Sequence, residues 1–315
     1  MGSPQFAVPS LEALHLSSHE ITAVVTQPDR PKGRKLQTQP PPVKVAAQRF
    51  QIPILQPATT KSEAFFEELR SIHPELLVVV AYGEILRRNL LELPQFGAVN
   101  LHASLLPKFR GAAPIPWAIL SGENRTGATT MMMNEVMDAG PILLQQECPI
   151  TPIDTAETLS GKISQMGAQL LKQTVDSIAK KEITPIPQDP SQVSFAPKLQ
   201  KENGRIDWNQ NADRVSRQIR AFDPWPGSFT LFRKTMVKVW SAREVEGKVS
   251  EPPGTVIDVT KDVLRVACGE KSLLEVSELQ VENRRRSPAS DFIHGYSVRP
   301  GDRFETPLEN GKINF

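Results

Sequence analysis

Apolar positions along this chain follow two successive regimes. From the amino terminus to about residue 180, short apolar runs alternate with stretches whose apolar residues recur at helical spacing. The runs at 21–26, 76–81 and 97–102 predict buried strands. Between them, 43–50, 62–72 and 84–91 predict helices, and an alternation of this kind predicts βα units around a parallel or mixed sheet. Further strands are predicted at 126–133 and 142–150. Leu159, Ile163, Met166 and Leu170 then mark one face of a long amphipathic helix over 155–179.

After a proline-rich stretch the regime changes. Val215, Ile219 and Phe222 stripe a predicted helix at 212–222, with Arg214, Arg217 and Arg220 on the other side, either facing RNA or paired with Asp213 on a solvated face. Short strands follow at 228–232, 236–240, 255–259, 263–267 and 273–279, with turn residues at regular intervals, which predicts a small barrel. The expected division is a first domain over 1–184, a linker over 185–204 and a second domain over 205–315.

A chain of 315 residues is long enough for two cores. Its net charge of +2 argues against a protein that coats nucleic acid and leaves room for a local basic patch. That patch is predicted at 27–44, where five prolines accompany Arg30, Lys32, Arg34, Lys35 and Lys44 against the single acid Asp29. Residues 205–315 carry 18 basic and 16 acidic side chains, so their charge alone does not argue for RNA. Cys148 and Cys268 lie far apart in strand-like surroundings, which points away from a disulfide framework or zinc site and suits a reducing cytoplasm. No apolar run approaches the ~18 residues of a membrane span.

Candidate chemistry gathers between 97 and 140. On the strand at 97–102, Asn100 and His102 are two apart and leave the same face, near the carboxyl end where substrates of open α/β sheets sit. An amide is a neutral donor for a developing oxyanion, and an imidazole accepts a proton from a nucleophile. Asp138, in the turn Met137-Asp138-Ala139-Gly140, is the nearest carboxylate able to hold the imidazole and balance its charge. No serine or cysteine is placed as a nucleophile, so acyl transfer here would use a nucleophile belonging to the substrate. By spacing alone, the alternative is a pair of loop-capping polar groups and an ordinary turn.

The wording of the stretch goes further. Asn100-Leu101-His102-Ala103-Ser104-Leu105-Leu106-Pro107 followed by Arg110-Gly111-Ala112-Ala113-Pro114-Ile115 resembles the signature of the folate-dependent formyltransferases, most closely those acting on methionyl-tRNA. The resemblance extends through Thr26-Gln27-Pro28-Asp29-Arg30-Pro31, Gly33-Arg34, Val78-Val79-Val80-Ala81-Tyr82-Gly83, Ile206-Asp207-Trp208 and Arg220-Ala221-Phe222-Asp223-Pro224-Trp225-Pro226.

It implies an α/β fold: a Rossmann-like amino-terminal domain followed by an OB-like barrel. The implied co-substrate is 10-formyltetrahydrofolate, with no metal, and the implied partner is initiator methionyl-tRNA, bound by a monomer. Tyr82, Gly83 and the segment Ser104, Leu105, Leu106, Pro107 would flank the folate. Asn100, His102 and Asp138 would perform the transfer, and Arg30, Arg34 and Lys35 would meet the acceptor stem. The rivals are formyltransferases acting on glycinamide ribonucleotide or an amino sugar, a formyl-folate hydrolase, and an RNA-binding protein without activity. A nicotinamide enzyme is disfavoured because Gly2-Ser3-Pro4 lacks the G-x-G-x-x-G wording. One departure from the family stands out: the apolar strand that precedes this turn in the family has no counterpart here, so an upstream start is expected.

Overall fold

The computed structural model describes residues 1–32 and 37–307. They form two compact units: one of residues 1–114, 125–149 and 159–197, the other of 115–124, 150–158 and 198 onward.

In the first unit, chain order gives α1 (Val8–His15), β1 (Val24–Val25), β2 (Arg30–Lys32), β3 (Gln37–Gln39), α2 (Pro42–Arg49), β4 (Ile54–Leu55), α3 (Glu63–Ser71), β5 (Leu77–Val79), α4 (Arg88–Leu91) and β6 (Ala98–His102). α5 (Pro114–Leu120) falls almost wholly in the second unit, and β7 (Arg125–Met132), β8 (Ile142–Pro149) and α6 (Ala156–Ala179) follow it. A mixed sheet runs β5-β6-β7-β8, with β5 and β6 parallel and the remaining pairs antiparallel. β1 pairs in parallel with β4. Met1 and Gly2 lie between β1 and β5. The α-amine donates to Val78 O (2.6 Å), Val80 N–H donates to Met1 O (2.9 Å), and Gly2 N–H donates to Val25 O (3.0 Å). Burial pushes that amine down to about 5.

Three elements differ from expectation for local reasons. The helix predicted at 84–91 is reduced to α4, because Glu84 is engaged elsewhere: its carboxylate accepts from Thr60 N–H (2.9 Å), the Thr60 hydroxyl (2.7 Å) and Gln27 (3.4 Å). The 27–44 loop contains an antiparallel hairpin of β2 and β3, and Asp29 at its base pairs with Lys44 (2.8 Å), so its one acid is matched to one of its five cations. Part of the stretch expected as a linker pairs with the first unit, since Ile186 bridges Ile142 and Phe195 bridges Arg110. α3 begins where expected because the Ser62 hydroxyl caps Phe65 N–H (3.3 Å). Its Phe65 and Leu69 pack with Leu77, Val79, Tyr82 and Leu90 into one core.

The second unit holds α7 (Ala212–Ala221), β9 (Ser228–Phe232), β10 (Thr235–Val245), β11 (Val256–Val259), β12 (Leu264–Ala267), β13 (Leu273–Val281), β14 (Ser287–Pro288), α8 (Ala289–Tyr296) and β15 (Phe304–Glu305). Its antiparallel sheet runs β11-β12-β13-β10-β9-β15, with β14 on β13. The sheet curls until the ends of the path meet at Thr255 and Arg303, where Val256 N–H donates to Asp302 O and Phe304 N–H to Gly254 O, both at 2.8 Å. The expected barrel is therefore present, curled around Ile219, Phe232, Val239, Leu264, Leu274 and Phe292.

The arginines of α7 belong to packing. Arg214 donates to Leu120 O, Arg220 to Asp154 O (3.0 Å), and Arg217 pairs with Asp213 (2.7 Å). Of the Arg284-Arg285-Arg286 run, Arg286 pairs with Glu278 (2.9 Å) and lies over the Trp240 ring. No helix among the described residues is long and apolar enough to cross a membrane. Cys148 and Cys268 are both buried.

Candidate active site

β6 carries the chemistry because its register leaves little choice. Val99 and Leu101 are buried on one side, so Asn100 and His102 share the other, with Asn100 opposite Val79 of β5 and Met131 of β7 and His102 opposite Thr129. β5 ends three residues before Tyr82 and β6 runs directly into the 103–113 loop, so both lead the chain out of the sheet at their carboxyl ends.

The structure brings His102 and Asp138 together. Nδ1 of His102 lies 3.7 Å from Oδ2 of Asp138, and the two side chains are only 7% and 14% exposed. The other ring nitrogen, Nε2, is 2.9 Å from the carbonyl of Phe109. A carbonyl only accepts, so Nε2 carries the hydrogen and the lone pair of the neutral ring is at Nδ1, beside the carboxylate. Orientation of the imidazole thus comes from Phe109, a residue whose role was illegible in sequence because only its backbone acts. Asp138 Oδ2 accepts from Gly111 N–H (2.8 Å), and its own backbone sits at φ 53°.

The segment Ser104, Leu105, Leu106, Pro107 is pinned from beneath. The Thr129 hydroxyl donates to Ser104 O (2.6 Å) and accepts from Leu106 N–H (3.1 Å) and Gln145 Nε2 (2.9 Å); Gln145 also donates to Leu106 O (2.8 Å). Sequence reasoning passed over Thr129 and Gln145. The usable signal was their place on the two strands predicted on either side of the Asp138 turn. Ser104 and Leu106 are buried, the Ser104 hydroxyl donating to Lys108 O (2.6 Å), whereas Leu105 is half-buried.

The Tyr82 side chain turns into the core. Its hydroxyl is buried with no partner among the described residues, and burial, with Glu84 adding to it, raises that hydroxyl to about 12. Gly83 stands at φ 91° with open space where a side chain would be. Arg30 is exposed on β2 and donates to Gln27 Oε1 (3.0 Å). Arg34 and Lys35 lie outside the described residues. Among the described residues no group of three His, Cys, Asp or Glu is arranged to hold a metal ion.

One strand face thus carries an amide able to donate and an imidazole able to accept a proton, with a carboxylate beside the imidazole. Residues 1–175 match the formyl transferase family model, and 198–297 match the formyl transferase C-terminal domain. The chain belongs to the formyltransferase family. Similar proteins include the methionyl-tRNA formyltransferase of Citrifermentans bemidjiense, 44% identical over 301 residues that cover 96% of this chain and 94% of that protein. That of Halalkalibacterium halodurans is 46% identical over 295 residues, covering 94% and 93%. Among solved structures, an N-formyltransferase of Helicobacter canadensis in complex with folinic acid and dTDP-3-aminofucose superposes with a TM-score of 0.65 at 20% identity, covering 87% of this chain and 96% of that one, a likeness of fold. This formyltransferase therefore has the mixed-sheet catalytic architecture and the curled antiparallel second unit of its family, as expected from its sequence.

Proposed function

We propose that this formyltransferase moves the formyl group of 10-formyltetrahydrofolate to the α-amine of methionine carried on initiator tRNA. The observation that carries the chemistry is the His102–Asp138 pair, with Asn100 on the same strand face. The acceptor is supported by identity to methionyl-tRNA formyltransferases that runs through both units.

The residues present suit a reduced pterin, with open space over Gly83, a half-buried Leu105 in the 103–113 loop, and that loop's backbone pinned by Thr129 and Gln145. Tyr82 and Gly83 would offer backbone groups, and Ser104, Leu105, Leu106 and Pro107 the opposite wall. The folate supplies an activated formyl group when bound; the remaining work belongs to this chain. Asn100 donates its amide N–H to the formyl oxygen as negative charge develops there, a contribution of ~10²–10³ in rate. His102 accepts the amine proton at Nδ1, because Nε2–H is committed to Phe109. Asp138 stabilises the imidazolium from 3.7 Å, in a site where little water screens the pair. Arg30 on β2, together with Arg34 and Lys35, contacts the acceptor stem, which makes binding weaken as salt rises.

The test is transfer of labelled formyl from 10-formyltetrahydrofolate to charged initiator tRNA, with charged elongator tRNA, glycinamide ribonucleotide and an amino-sugar nucleotide as competitors. Formylmethionyl-tRNA as the dominant product is expected. Transfer to a small acceptor with none to tRNA overturns the proposal.

A further inference from the structure

Residues 186–196 lie along the first unit like a strap fastened at both ends. Ile186 and Ile142 exchange two backbone hydrogen bonds of 2.8 Å. At the other end Arg110 N–H donates to Ser194 O (2.9 Å), Ala196 N–H donates to Arg110 O (2.7 Å), and the Ser194 hydroxyl accepts from Phe109 N–H (2.9 Å). Between these anchors one side chain, Gln188, joins both halves of the site. Its Nε2 donates to the carbonyls of Asp138 (2.9 Å) and Gly140 (2.8 Å), and its Oε1 accepts from Nε (3.1 Å) and a terminal nitrogen (2.8 Å) of Arg110. Two carbonyls require the NH₂ side of the amide and a guanidinium requires the oxygen, so only one orientation serves all four bonds.

The consequence is geometric. The turn bearing Asp138 and the loop bearing Phe109 O and Gly111 N–H hold His102 and Asp138 from two sides, and Gln188 links that turn to that loop. Asp138 is also in the left-handed region, a conformation that persists in a residue other than glycine only where its surroundings over-determine it. Two carbonyls of that turn, one being Asp138's own, end on Gln188.

We propose that Gln188 is a positioning residue for formyl transfer, acting through Asp138 by fixing its carboxylate beside His102. This rests on the role given to Asp138 above. Gln188→Met keeps the length of the side chain and removes all four bonds. Gln188→Glu keeps the partner of Arg110 and turns an acceptor toward two carbonyls. Displacement of a reacting group by about 1 Å typically costs ~10² in rate, so kcat should fall about 10- to 100-fold in both variants. KM for folate and for tRNA should stay within about twofold of the parent.

The decisive measurement is the double variant Gln188→Met with Asp138→Ala. Its kcat should equal that of Asp138→Ala alone, since a residue acting only through Asp138 has nothing left to position. Losses that multiply, a defect confined to KM, or parental kcat in both Gln188 variants would each overturn the inference. Full turnover by Asp138→Ala would remove the reading beneath it. An impaired Asp138→Ala beside unimpaired Gln188 variants removes this inference alone.

Discussion

Gly111→Ala tests the site at its tightest point. Gly111 stands at φ 126°, and a Cβ there would lie 2.6 Å from Ala196 O and 3.1 Å from its carbonyl carbon. Ordinary contact begins near 3.4 Å, so the two backbones must part by about 0.8 Å. Neither retreats freely: Ala196 O accepts from Ala113 N–H (3.2 Å) and Ala196 N–H donates to Arg110 O (2.7 Å). Backbone strain contributes about 1–3 kcal/mol and a weakened hydrogen bond about 1 kcal/mol, for a loss of roughly 2–4 kcal/mol. The same movement draws Gly111 N–H from Asp138 Oδ2 and shifts the carboxylate relative to His102. A displacement of that size should lower single-turnover formyl transfer by about 10²-fold. Urea unfolding followed by fluorescence, beside rapid-quench transfer at saturating folate and tRNA, reads both effects. A variant with the parental midpoint and a rate within about twofold of the parent would refute the close-approach argument.

Asn100→Ala should lose about 10²–10³ in kcat with little change in tRNA affinity, read by transfer kinetics beside filter binding; unchanged kcat removes the amide from the mechanism. Phe232→Ala, which empties the position against Phe292, Tyr296 and Phe304, should cost about 3–5 kcal/mol by chemical denaturation of the second unit. The Glu275 carboxyl is held below the ordinary carboxylate range, chiefly by hydrogen bonds from Arg243 and, against an opposing effect of burial, from Arg265. The unfolded chain therefore binds this proton more tightly, and the stabilisation is complete above the unfolded value near ~4.3 and lost as pH falls through the folded one. Unfolding of the parent and of Glu275→Gln should consequently converge in acid and diverge above about pH 5. A gap between them that does not vary with pH would refute this.

Much of the site was legible before any coordinates. The period-two pattern of β6 required Asn100 and His102 to share a face, and the apolar runs on either side required β6 to lie inside the sheet. The helix stripes of α6 and α7 were equally plain, since a run of leucines, isoleucines and valines at helical spacing has one way to be buried. The start of α3 near residue 62 was legible too. What could not be read depended on backbone groups and long-range partners. The Phe109 carbonyl has no side-chain signature, so the tautomer of His102 could not be assigned. α4 is shorter than its apolar spacing suggested because Glu84 takes partners 24 and 57 positions earlier.

The stretch 186–196 shows the limit most clearly. Its prolines announced an irregular segment, and irregular it is, yet irregular backbone can still satisfy its hydrogen bonds on a neighbour. Local sequence thus determined most of the elements, the face that Asn100 and His102 share, and the family. Only the tertiary structure decided that the imidazole is aimed by a carbonyl, that Asp138 is held at 3.7 Å, and that Gln188 joins the two loops around them. The physical reason is that alternation and helical period encode which way a residue points. The identity of its partner depends on the path the loops take, whether the partner is 7 positions away as Phe109 is from His102 or 50 and 78 away as Asp138 and Arg110 are from Gln188, and no periodic pattern specifies that path.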